Sequence, residues 1–214
     1  MKISEREFAE AVNSRSKAPI YEKMKSATVG IAGLGGLGSN IAAALVRSGI
    51  GRLVLADFDR VELSNINRQA YFLRGIGKRK TEALAEILRE INPFCEIVTH
   101  DVRVDEKNCL RIFGECPIVC EAFDGAEEKA MLVNALLSGS KTVKIITGSG
   151  MAGFGRANEI VTKKISERLF VCGDGKTDVA DGEGLTASRV IICAGHIASK
   201  AVEMIIRQHR TING

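Results

Sequence analysis

Thr28-Val29-Gly30-Ile31-Ala32-Gly33-Leu34-Gly35-Gly36-Leu37-Gly38-Ser39-Asn40 is the stretch on which the fold turns. A short β-branched and apolar run ends in glycines, and an alanine-rich helical pattern from Ile41 to Ser48 follows at once. That order predicts a strand, a tight turn and a helix N-terminus. Gly33, Gly35 and Gly38 satisfy G-x-G-x-x-G, in which the glycines serve the turn, the approach of a phosphate to the backbone, and close helix–strand packing. Gly36 removes still more side-chain bulk. The free amides of the helix's first turn then form an anion site. A βα turn that binds nothing is the plain alternative; the strand before and the helix after favour a nucleotide.

Outward from this turn, a second strand over 52–56 ends in Asp57-Phe58-Asp59. Asp57 lies 19 residues beyond Gly38, where a carboxylate often takes a ribose hydroxyl, although a turn-capping role also fits. Asp59 reads as an auxiliary or structural acid. An NAD(P)-dependent oxidoreductase would share everything so far. The next segment, Val61-Glu62-Leu63-Ser64-Asn65-Ile66-Asn67-Arg68-Gln69, is polar and carries an arginine, and Gly77-Lys78-Arg79-Lys80 opens a further helix. A nicotinamide dinucleotide has only a pyrophosphate, which the glycine turn already accommodates. Extra Arg and Lys near the turn suit a longer polyphosphate such as ATP.

The rest of the chain alternates. Expected helices cover 3–13 (apolar set Ile3, Phe8, Ala11 and Val12), 21–26, 38–48, 77–91, 106–113, 126–138 and 187–209; expected strands cover 27–32, 52–56, 96–99, 117–121 and 142–147. Ser14 to Pro19 is a breaker between the first two helices. This βα alternation predicts an α/β, Rossmann-like, doubly wound and mostly parallel sheet, with ligands at the carboxyl ends of its strands. Ser149 to Gly155 is a glycine-rich break, after which patches at 159–161 and 169–171 suit antiparallel edge strands. Residues 172–186 lack periodicity and read as a mobile surface loop. The expected division is an N-terminal helical segment, 1–26, and one nucleotide-binding domain, 27–214.

The totals exclude several classes. A chain of 214 residues suits one domain burying roughly 70% of its unfolded surface. No stretch approaches the ~20 apolar residues of a membrane span, and the charged start Met1-Lys2-Ile3-Ser4-Glu5-Arg6-Glu7 lacks a signal-peptide core, so a cytoplasmic location is the default. The net charge of +4 comes from scattered cations and does not imply nucleic acid. Six cysteines at 95, 109, 116, 120, 172 and 193 form no C-x-x-C pair, so no structural zinc is expected, and most read as small core residues.

Taken together, GxGGLGSN, then D-F-D-x-V-E-x-S-N-x-N-R-Q, then G-x-x-K, then Glu121-Ala122-Phe123-Asp124 resemble the ThiF/MoeB/HesA superfamily, most closely its compact ThiF proteins. The resemblance runs from about Thr28 to Ala126, with weaker echoes over 149–155 and 185–194. It implies an ATP- and Mg²⁺-dependent adenylyltransferase that activates the C-terminal glycine carboxylate of a ubiquitin-like sulfur carrier ending in Gly-Gly, such as ThiS in the route to the thiazole of thiamine. It also implies a homodimer.

Carried over residue by residue, Gly33, Gly35, Gly36 and Gly38 would hold the nucleotide, and Asp57 the ribose. Arg68 would contact the β- and γ-phosphates with help from Asn65 and Gln69. Lys80 would lie near the α-phosphate, and Asp124, also a fitting helix N-cap, would hold Mg²⁺. Arg15 is a candidate to reach the phosphates of a partner subunit, although its surroundings depart from the family pattern. Larger relatives carry two C-x-x-C pairs, which this chain lacks. They can also carry a cysteine in the crossover loop; Cys172 falls near that region and reads better as structural. The loops 149–155 and 172–186 are candidates for admitting the carrier tail. Two rival functions remain, an NAD(P)-dependent oxidoreductase and a non-catalytic scaffold that binds nucleotide or carrier.

Overall fold

The computed structural model of the chain describes residues 3–15 and 19–211; Met1-Lys2, the middle of the expected breaker and residues 212–214 lie outside them. The elements in chain order are α1 (Glu5–Asn13), α2 (Tyr21–Lys25), β1 (Thr28–Ala32), α3 (Gly36–Arg47), β2 (Arg52–Asp57), α4 (Lys80–Ile91), β3 (Glu96–Asp101), α5 (Cys109–Phe113), β4 (Ile118–Glu121), α6 (Ala126–Gly139), β5 (Lys144–Gly148), β6 (Val161–Lys164), β7 (Leu169–Gly173) and α7 (Ala187–Thr211). The strands form one seven-stranded sheet in the order β3-β2-β1-β4-β5-β7-β6. Every pairing is parallel except β6 with β7. The chain therefore has the α/β, Rossmann-like fold that the alternation predicts, and its strand order reverses direction at β1 and β4.

Alternation along the strands divides the core between the two faces. Val29, Ile31, Leu53, Leu55, Ile118, Cys120 and Ile146 pack with α3, α4 and α7, including Ile41, Leu45, Leu84, Leu88 and Ile197. Val54, Ala56, Val119 and Ile145 pack on the other face with Phe113, Leu132 and Leu136 of α5 and α6. The N-terminal helices join the first of these layers through Met24, and Phe8 stacks edge-on to Tyr21 at 6.0 Å between ring centroids. No residue of α1 is fully buried, so its apolar stripe lies on the surface of the body and does not enter the core.

Several boundaries shift by one to three residues, α4 and α5 each starting three residues late, and three departures bear on the site. Helix α3 begins at Gly36, two residues early, because three glycines in a row of four leave no side chain to oppose the helical turn. Antiparallel character is confined to β6, since β7 pairs in parallel with β5. Residues 172–186 are not a free loop from their start. Cys172 and Gly173 complete β7, Asp174 is buried beneath it, and 179–181 form a 3-10 turn.

Candidate active site

The site is built at the carboxyl ends of β1, β2 and β4. After β1 the chain turns at Gly33, whose φ of +88° admits glycine with little strain. A Cβ on Gly38 would lie 1.8 Å from the Gly33 carbonyl oxygen, so the third glycine lets α3 sit against the turn. Gly35 is different: a Cβ there would find nothing nearer than 4.0 Å, where Asp124 Oδ1 and Gln69 Nε2 stand. No side chain caps α3, so the amides of its first turn are left for a ligand.

The turn is braced from below. Asp57 Oδ2 accepts from the Leu34 amide at 2.6 Å and Oδ1 from the Asp59 amide at 2.8 Å. The Tyr71 hydroxyl donates to the Leu34 carbonyl at 2.8 Å, and burial, followed by Asp57 and Asp59, pushes that phenol far above its ordinary pKa. Ser39 donates to the Gly35 carbonyl and accepts from the Ala70 amide, while Asn40 donates to the carbonyls of Gly36 and Arg68. These bonds tie the segment after β2 to the glycine turn. Asp57 thus holds the turn as a cap would, while remaining in the wall of the cavity.

Two adjoining cavities meet at Phe123 and Asp124. The first, about 230 Å³, is walled by Gly33, Gly35, Asp57, Phe58, Asp59 and Lys80, with Val102, Val104 and Ala122 opposite. Lys80, almost fully buried, pairs with Asp59 at 2.9 Å. This sets Lys80 on the same side as Asp57. The second cavity, about 650 Å³, has Gly36, Arg68 and Val190 on the α3 side, Ala126 and Lys129 on the α6 side, and the loops 148–152 and 175–179 over it. Arg68 is partly exposed and held by the Ser64 carbonyl and Asn67 at 3.1 and 2.9 Å. Asn65 and Gln69 are buried, and Gln69 Oε1 has no hydrogen-bond partner. The structure thus gathers Gly33, Gly35, Asp57, Asp59, Lys80 and Asp124 around one cavity, and Gly36, Arg68 and Asp124 around the other. Gly38, Asn65 and Gln69 support the walls.

For Mg²⁺, the fit rests on Asp124, an exposed carboxylate at the junction of the cavities; this hard cation binds through one or two carboxylates together with phosphates. Among the described residues no group of three or more His, Cys, Asp and Glu side chains could hold a metal without such help. The cysteines are all buried and unpaired. Burial raises the pKa of Cys172 even though the Thr162 hydroxyl lies 3.3 Å away. Arg15 is exposed in the turn after α1.

Two buried charged groups have no role assigned to them from the sequence. Glu121, at the end of β4, is wholly buried and bonds Lys129, Thr147 and the Phe123 amide. Arg189 of α7 is equally buried, against Asp174. Their signal is a charged residue inside an otherwise apolar run, which single-sequence periodicity treats as noise.

A family model described as "ThiF family" matches residues 8–213. Ubiquitin-like modifier-activating enzyme 5 of Caenorhabditis briggsae is 38% identical over 93 residues, covering 44% of this chain and 22% of the relative. Adenylyltransferase and sulfurtransferase MOCS3 of Aedes aegypti is 34% identical over 130 residues, covering 60% of this chain and 29% of the relative. The chain therefore spans under a third of the length of these curated relatives. Among solved structures, E. coli tRNA N6-threonylcarbamoyladenosine dehydratase, TcdA, in complex with ATP superimposes with a TM-score of 0.86 at 23% identity, covering 99% of each chain. E. coli MccB with ATP matches with a TM-score of 0.66 at 22% identity, over 87% of this chain and 57% of that one. At these identities the structural likeness establishes the fold.

Proposed function

The chain belongs to the ThiF family, and on that premise we propose that it is an ATP-dependent adenylyltransferase acting on the C-terminal glycine carboxylate of a ubiquitin-like sulfur carrier. A carboxylate oxygen attacks the α-phosphorus, the bond to the bridging oxygen breaks, and pyrophosphate leaves with the electron pair. Both reactants are anions, so catalysis consists of alignment and charge neutralisation, with no protein nucleophile required. In this reading the first cavity takes the nucleoside, with Asp57, Asp59 and Lys80 around the ribose. The open approach at Gly35 and the uncapped α3 terminus take the phosphates, which continue toward Arg68. Asp124 would hold Mg²⁺, and the ion would supply neutralisation of the phosphate charge.

The observation that carries the reading is the junction of the two cavities at Asp124. One cavity follows the glycine turn; the other is large enough for an acyl chain entering from outside. The names of the curated relatives, a modifier-activating enzyme and an adenylyltransferase, support the reaction class, and the ATP complexes of TcdA and MccB support the nucleotide. Thiamine biosynthesis, ThiS as carrier, a homodimer and a cytoplasmic setting belong to the same proposal.

One observation favours a second reading. TcdA, whose printed name is that of a tRNA-modifying dehydratase, matches this chain end to end. A carboxylate carried by a modified tRNA nucleoside would then replace the carrier tail. The test is intact mass spectrometry of carriers ending in Gly-Gly after incubation with ATP and Mg²⁺, alongside nucleoside analysis of threonylcarbamoyl-modified tRNA. An added AMP on a carrier supports the first reading. A changed nucleoside with unmodified carriers supports the second, and neither product overturns both.

A further inference from the structure

Glu121 is an unusual residue to find at the end of β4. Its side chain is inaccessible to solvent, and a carboxylate in that position costs several kcal/mol unless it is fully paired. It is paired from three directions. The Phe123 amide donates to Oε1 at 2.6 Å, the Thr147 hydroxyl of the neighbouring strand donates to Oε2, and Lys129 Nζ sits 3.0 Å from Oε2 and 3.3 Å from Oε1. Thr147 stands opposite Glu121 in the β4–β5 register, so two strands and one helix converge on this carboxylate. Such a pair adds little net stability compared with an apolar filling of the same space. What it does is fix Lys129 in place. The lysine is 24% exposed, and its free side belongs to the second cavity. Of its three N–H donors, the two carboxylate oxygens occupy two, leaving one for a ligand.

Its place in the sheet distinguishes Lys129 from the other cations. Lys80 is on the ribose side beside β2, and Arg68 is on the α3 side beside the phosphates' turn. Lys129 approaches from α6 on the opposite face and shares the lining of the second cavity with Gly148, Ser149 and Gly150. An incoming carboxylate brings a full negative charge toward an anionic phosphate. It needs a counter-charge that the nucleotide is not already using.

We propose that Lys129, held by Glu121, which Thr147 anchors in turn, binds the carboxylate of the acyl substrate and presents it to the α-phosphorus. Lys129 is thus the residue that requires an acid as substrate, and Glu121 is the positioning residue behind it. This rests on the adenylation reading and assigns one further role within it.

The test uses the full chain and a synthetic heptapeptide ending in Gly-Gly, as free acid and as C-terminal amide, titrated by calorimetry onto protein saturated with a non-hydrolysable ATP analogue. Wild type is expected to favour the acid at least tenfold. Lys129→Gln should erase that preference, Lys129→Arg should retain most of it, and all three proteins should bind the analogue within twofold of one another. Glu121→Gln can keep its oxygen on the Phe123 amide and turn its NH₂ as a donor to the Thr147 hydroxyl, but it removes the charge that holds Lys129, and should weaken acid binding with the analogue's affinity unchanged. An acid preference that survives in Lys129→Gln, or is absent from wild type, overturns the proposal. So does a loss of analogue affinity parallel to the loss of peptide, which would put Lys129 on the polyphosphate. Failure of wild type to bind the analogue at all instead removes the adenylation reading itself.

Discussion

At Gly38 an alanine methyl would overlap the Gly33 carbonyl at 1.8 Å, a backbone atom that has nowhere to go. Gly38→Ala is expected to cost about 3 kcal/mol or more, visible as a large fall in Tm or as insoluble protein. Gly35, with φ of −75° and no atom nearer than 4.0 Å, should accept alanine with a Tm within a few degrees of wild type, yet bind ATP at least tenfold more weakly. Equal stability losses in the two variants would contradict this division of labour. The thiols give a second residue-level expectation. Burial pushes Cys95 and Cys193 up to about 12 and Cys116 up to about 11, and all six cysteines are enclosed. Ellman's reagent at pH 8 should titrate almost none of them in the native chain and all six in guanidinium. Rapid reaction of Cys172 in the folded protein would show that β7 is not as closed as it stands here. That the glycine turn, Asp57 and Asp59 would lie together at the carboxyl ends of β1 and β2 was legible because their spacing is dictated by backbone geometry. Lys129 was not, since a lysine on a helix face looks solvated until the buried carboxylate behind it is seen.

The strands and helices of the first half could be read from the sequence because apolar periodicity switches cleanly between two and 3.6 over 28–56, and Pro93 ends α4. The segment after β7 could not. Its glycines and acids have the composition of a solvated loop, whereas its structure depends on one partner 15 residues away. Asp174 accepts from the amides of Lys176 and Thr177 and from the Thr177 hydroxyl, and pairs with Arg189, which also donates to the carbonyls of Gly155 and Arg156. One arginine of α7 thereby ties residues 155–156 to Asp174, the carboxylate that anchors the start of the 175–179 loop. Arg189→Met should cost about 3–5 kcal/mol in chemical denaturation, because it strands a buried carboxylate. The pair also leaves a pH signature. Burial alone would raise the Asp174 pKa, but the Thr177 and Lys176 amides, the Thr177 hydroxyl and Arg189 bring it below 3.8. A depressed folded pKa contributes stability that is complete above the unfolded value and is lost as pH falls through the folded one. Stability measured from pH 5 down to pH 2 should therefore fall less steeply in Asp174→Asn than in wild type.

For the molecule as a whole, the choice between a triphosphate and a redox dinucleotide at the reversal point of the sheet can be read from ligand-induced stability. ATP with Mg²⁺ at about 100 times its Kd should stabilise the chain by about 2.7 kcal/mol, a rise in Tm of about 5–10 °C for a domain of this size, and NADH at the same concentration should leave Tm unchanged. The reverse result would return the glycine turn to an oxidoreductase. The fold class was legible at this scale because βα alternation admits few topologies. The parallel placement of β7 was not, since register with a distant strand leaves no local mark. One consequence concerns the rim of the sheet. Among the described residues β6 is bonded to β7 alone, and all four of its side chains are exposed. Its outer ladder of amides and carbonyls is the kind of border along which sheets from separate molecules fuse. Lys163 and Lys164 stand on that border, Lys164 in a pair with Glu167, so a second copy of β6 aligning there would bring lysines together. Edge lysines of this kind oppose the pairing from which fibres grow.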